Sequence, residues 1–86
     1  MKESISYPAF LPPEKYDLTN IRELMNKPLL IDVKGWLFTT TVKGTIDHIL
    51  PYHNETTLIM AIVVRKQSGA RKLYSLGQIK AFRKPN

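Results

Sequence analysis

The chain has no cysteine. Disulfides and thiolate metal ligands are therefore excluded, and no covalent staple helps a fold of only 86 residues. A chain this short buries about 60% of its unfolded surface, so its stability rests on one thin core, on partner subunits, or on both. Acidic residues are missing from one end. Residues 1–55 contain six Lys/Arg and all seven Asp/Glu, whereas residues 56–86 contain seven Lys/Arg and no acid. Long apolar runs are missing too. The most apolar stretch, Thr57–Val64, falls well short of the roughly 20 residues that span a bilayer. Met1-Lys2-Glu3-Ser4 leads into no apolar signal segment. The expectation is a soluble, cytoplasmic protein with no membrane partner.

Catalytic patterns are equally sparse. There is no G-x-x-x-x-G-K-[ST] phosphate loop, and no serine stands in a G-x-S-x-G or S-x-x-K context. Asp32, Asp47 and Glu55 are scattered, with no close acid pair for proton transfer. Asp47, His48, His53 and Glu55 gather around one loop, but a metal site needs three or four converging ligands, and the simpler reading is two surface histidines. The expectation is a non-enzymatic protein without cofactor or metal.

The residues that are present read as one mainly β (α+β) domain. Thr57-Leu58-Ile59-Met60-Ala61-Ile62-Val63-Val64 is rich in β-branched residues and free of Gly and Pro, as expected for a central strand buried on both faces. Ahead of the domain, residues 1–16 form an arm. Pro8, Pro12 and Pro13 make it extended, and Tyr7, Phe10 and Leu11 suit it either to cap one end of the fold or to dock a partner. Residues 17–86 form the domain itself. Asp17 caps a helix of about nine residues whose stripe is Leu18, Ile21, Leu24 and Met25, and Pro28 stops it.

Leu29–Lys34 alternates as a first strand, with Leu29, Ile31 and Val33 on one face. Trp36, beside the turn at Gly35, is expected to cover the mouth of the fold, with an exposed stacking platform as the alternative. In the second strand, Thr39–Leu50, Ile49 is out of phase with Val42, Gly44 and Ile46, so a bulge is expected at Asp47-His48. Gly44 fits a sharp bend. Lys72–Leu76 and Ile79–Phe82 are short fourth and fifth strands around a tight turn at Leu76–Ile79, and Arg83-Lys84-Pro85-Asn86 is a basic tail. Five short strands after one helix predict a small, highly curved five-stranded barrel.

Three segments carry a family likeness: the short helix before Leu29–Val33; Val42-Lys43-Gly44-Thr45-Ile46 followed by Thr57-Leu58-Ile59-Met60; and Tyr74-Ser75-Leu76-Gly77-Gln78-Ile79. Over residues 18–82 their order resembles the Sm/Hfq-like barrels and, more broadly, the SH3-like barrels. The resemblance implies an SH3/Sm-like fold and, for the Sm branch, RNA binding by a ring. The base-holding Asp and Asn of Sm proteins are matched only by the widely spaced Asp47 and Asn54, and Tyr74-Ser75-Leu76 stands where Hfq has its basic–His motif. Tyr7-Pro8-Ala9-Phe10 with Pro13-Glu14, Gly44-Thr45-Ile46 and Gln78-Ile79 is similar to parts of the YolD-like small proteins of Gram-positive bacteria and their phages, without that family's early Trp.

The one-signed half points to partners rather than to fold. Arg65, Lys66, Arg71 and Lys72 flank a Gly69 turn, and Lys80, Arg83 and Lys84 follow on the last strand and tail. With Tyr74 as an interleaved aromatic, these are the expected contacts to an RNA or DNA backbone, read without sequence preference. Tyr52, Tyr74 and Trp36 are the candidate stacking rings. The competing expectation is a small phage- or plasmid-type inhibitor or adaptor that grips an acidic protein surface or a nucleoprotein complex of its host. Self-association through strand edges is a further expectation.

Overall fold

The computed structural model describes residues 5–51 and 58–85. Five antiparallel strands form one sheet in the order β4-β3-β2-β1-β5, where β1 is Leu29–Lys34, β2 Thr39–Pro51, β3 Ile59–Lys66, β4 Arg71–Ser75 and β5 Ile79–Arg83. A four-residue helix, α1 (Leu18–Ile21), precedes them. Strands β4 and β5 are the edges, and no ladder joins them among the described residues. A 3-10 turn at Leu76–Gln78 carries the chain from one edge to the other. Its start is capped by Ser75, whose N–H donates to Gln78 Oε1 at 3.0 Å.

Alternation builds the core. Leu29, Ile31 and Val33 of β1 are buried as their period-2 spacing requires. They pack with Ile46, Ile62, Val64, Tyr74, Ile79 and Phe82 from the other four strands. The phase slip in β2 is a bulge: Ile46 pairs with Val64 and His48 with Val63, which leaves Asp47 as the extra residue. It restores the inward face, so Ile49 meets Ile62. Gly44 permits the close approach of β3 to β2. A Cβ there would stand 2.6 Å from the Arg65 carbonyl oxygen and 2.9 Å from Val64 Cγ1.

Three expectations are corrected. The helix is four residues long, not nine. Beyond Ile21 the chain tightens, with N–H groups of Glu23, Leu24 and Met25 donating three residues back. Three residues per turn superpose Ile21 on Leu24, and both are fully buried. Asn26, at φ 63°, then ends the turn, and its N–H donates to Ile46 O. The central strand is not covered on both faces: Leu58 is 51% exposed and Met60 45%, although Ile59, Ala61, Ile62 and Val64 are buried. Trp36 covers nothing. It stands 94% exposed at the tip of the β1–β2 hairpin, beside exposed Leu37 and Phe38.

The arm lies back on the core through Tyr7, Phe10 and Leu11, and Tyr16 at its end is itself buried. Tyr7 Oη donates to Pro28 O at 2.6 Å. The Leu11 N–H donates to Tyr16 Oη at 2.9 Å, and the Tyr16 ring meets Phe82 edge-on, centroids 5.3 Å apart. Burial raises the Tyr16 hydroxyl's pKa, with the Leu11 N–H opposing the shift.

Candidate functional site

Pairing of β2 with β3 sets Gly44 opposite Lys66 and Thr45 opposite Arg65. Pro28, at the entry to β1, and Pro85, in the C-terminal tail, lie beside this stretch of the β2–β3 ladder. The result is an open cleft of about 560 Å³ lined by Pro28, Lys43, Gly44, Thr45, Arg65, Lys66, Gln67 and Pro85. Its charged lining is wholly cationic: Lys43, Arg65 and Lys66. Next in the chain to the two lining prolines stand Lys27 and Lys84, each with Nζ 5.9 Å from the Tyr7 ring centroid. Lys43 and Lys66 have no carboxylate partner among the described residues. Ammonium groups without carboxylate partners around a concave surface suit a polyanion.

The bulge governs the remaining charge on the β3–β4 hairpin. Asp47, its side chain 14% exposed, sits 2.9 Å from Arg71 Nε, 3.9 Å from Arg65 Nη1 and 3.8 Å from His48 Nε2. The short Arg71 approach is an ion contact off the hydrogen-bond axis, since Asp47 Oδ2 is buried without a hydrogen-bond donor. Arg65 and Arg71 are cross-strand partners, so one carboxylate from the near-neutral half holds both.

A second carboxylate, Asp32, ties β5, β1 and β2 together. Arg83 grips Asp32 with two bonds, Nε to Oδ2 at 2.8 Å and Nη2 to Oδ1 at 2.9 Å. The Thr41 hydroxyl donates to Asp32 Oδ1 at 2.7 Å. The Arg83 hydrogen bonds hold the Asp32 carboxyl below its usual pKa; burial opposes this, and Thr41 and the charges of Arg83 and Lys80 reinforce it. Thus the acid-free C-terminal half is partly neutralised by acids the fold delivers from the other half.

Of the eight residues singled out from sequence, Arg65 and Lys66 line the cleft, with Arg71 cross-strand from Arg65. Lys72 is exposed on edge strand β4, its Nζ 5.4 Å from the Tyr74 ring. Tyr74 itself is only 4% exposed, so its ring is a core group and not an open stacking surface. Lys80 and Arg83 lie on β5, at the opposite edge from β4, and Lys84 returns toward the cleft beside Pro85. Sequence reasoning missed Lys43 and Lys27. The signal for Lys43 was its place next to Gly44, once β2–β3 pairing is drawn through the bulge. Tyr52, His53, Asn54 and Glu55 fall outside the described residues. Among the described residues, no three His, Asp or Glu side chains converge on a cation site, and no helix is long and apolar enough to cross a membrane.

Comparison with protein-family models, with curated proteins and with solved structures finds no match.

Proposed function

We propose that the protein is a non-enzymatic module that binds the phosphate backbone of a nucleic acid, without sequence preference, in the cleft between β2 and β3. The observation that carries this reading is that the charged residues lining the cleft, Lys43, Arg65 and Lys66, are all cations, two of them free of carboxylate partners among the described residues. A backbone ligand needs cations along a groove, which this lining offers. The sheet order, with its 3-10 turn between β4 and β5, supports a small SH3/Sm-like barrel as the frame. The test is anisotropy of a labelled oligonucleotide. Lys43→Glu with Lys66→Glu is expected to abolish binding, while Lys72→Glu on the outer edge costs little. Unchanged affinity in the double variant contradicts the reading.

A protein-directed reading draws on exposed Leu58, just ahead of β3, with Met60 on β3 and Leu73 on β4, which offer apolar area to a larger partner. One stoichiometric protein partner that survives nuclease treatment and is lost with Leu73→Glu favours it.

A further inference from the structure

The tip of the β1–β2 hairpin carries three consecutive apolar side chains, Trp36, Leu37 and Phe38, that are 94%, 74% and 77% exposed. Exposure of this kind at three adjacent positions is costly unless something uses it. The tip is also held in shape. Gly35 N–H donates to Phe38 O at 2.9 Å, and a Cβ on Gly35 would collide with that same carbonyl. Only glycine lets the chain turn so tightly.

What lies between the tip and the cleft identifies the ligand class. Thr39, Thr41, Lys43 and Thr45 alternate along one face of β2, from the finger to the cleft. At about 3.3 Å per residue this row of hydroxyl and ammonium groups is roughly 20 Å long. Two carboxylates among the described residues lie beside it, and both face cations: Asp32 is held by Arg83 and Thr41, and Asp47 sits against Arg71 and Arg65. A backbone seated in the cleft therefore has a polar path to two exposed aromatic rings, with the Thr41 hydroxyl already donating to Asp32. Phosphates on one side and ring faces on the other are presented together only by an unpaired strand, because the bases of a duplex are stacked within it.

We infer, on the reading that the cleft binds a phosphate backbone, that its ligand is a single strand running along β2, with unpaired bases stacked on Trp36 and Phe38. The alternative of a bilayer-inserted finger fits the charges less well. An inserted finger is best served by cations ringing its base. Here Lys34 shares the recess at that base with Glu14, and the cation cluster lies at the far end of β2.

Trp36 is the only tryptophan, so its fluorescence reports this contact without labelling. The probes are an oligothymidylate of about twelve nucleotides, within the range of small single-strand sites, and a duplex of equal length. Single strand is expected to quench Trp36 along the same isotherm that anisotropy gives, and duplex is not. Trp36→Ala and Phe38→Ala are each expected to lower single-strand affinity roughly 5- to 150-fold, the stacking contribution of one base. Both leave the urea midpoint and any duplex affinity unchanged, because neither ring is packed. Single-strand binding that loses nothing in these variants and leaves Trp36 unquenched overturns the inference while the cleft reading stands. No binding by wild type, or full binding by Lys43→Glu with Lys66→Glu, overturns both. Quenching by anionic vesicles and not by oligothymidylate assigns the finger to lipid and overturns the inference.

Discussion

At the scale of single residues, position matters more than type. Gly44 is fixed by what a side chain would strike, the Arg65 carbonyl and the Val64 methyl. Gly44→Ala is expected to force β2 and β3 apart and cost about 1–3 kcal/mol, read as a lower urea midpoint by circular dichroism. Asp32 makes a pH prediction. Its folded pKa is depressed, so its contribution to stability is complete at neutral pH. That contribution declines as pH falls below the ordinary carboxylate value, near 3.9, and through the lowered folded one. Wild type is expected to lose urea resistance across that window. Asp32→Asn is expected to start less stable at neutral pH and to lose less there; parallel curves would contradict the assignment. Tyr16 runs the other way. Its pKa is raised, so its contribution holds at neutral pH and is lost on the alkaline side, from about pH 10 upward.

At the scale of elements, the strands and the presence of one capped helix were legible in the sequence, and the helix's length was not. Leu29, Ile31 and Val33 announce β1 because a half-buried strand has only one period to obey. The slip between Ile46 and Ile49 announces the bulge, since an uncorrected strand would turn Ile49 outward. The stripe Leu18, Ile21, Leu24, Met25 fits 3.6 residues per turn as well as 3.0, so spacing alone does not separate an α-helix from a 3-10-like turn. Packing decides it. With Ile21 and Leu24 both fully buried, Leu24→Ala is expected to cost about 2–5 kcal/mol in urea unfolding, far more than an exposed helix site would. The bulge residue makes a second prediction. Asp47→Asn releases Arg65 and Arg71 from their shared carboxylate. On the cleft reading, oligonucleotide affinity rises and its salt dependence steepens.

At the scale of the whole molecule, charge segregation along the chain does not survive as segregation in space. The bases of residues 56–86 are met by Asp32 and Asp47 from the other half, and Lys43 from that half joins Arg65 and Lys66 in the cleft. None of this is visible in local sequence. The cleft needs the register of Gly44 against Lys66 and two prolines 57 positions apart in the chain brought to one rim. Trp36 was beyond reach for a related reason: a turn beside a glycine says that a ring is near a corner, not which side of the corner it takes.

The central claim is that unpaired cations of the cleft hold a phosphate backbone. The most direct measurement is the affinity of wild type and of Lys43→Glu with Lys66→Glu for labelled oligothymidylate across a salt series. Three lining cations predict a wild-type slope of log affinity against log salt of about −2, at about −0.7 per single-strand phosphate contact, and no measurable binding by the variant at any salt concentration. A wild-type affinity that ignores salt, or a variant that keeps the wild-type slope, would contradict the claim.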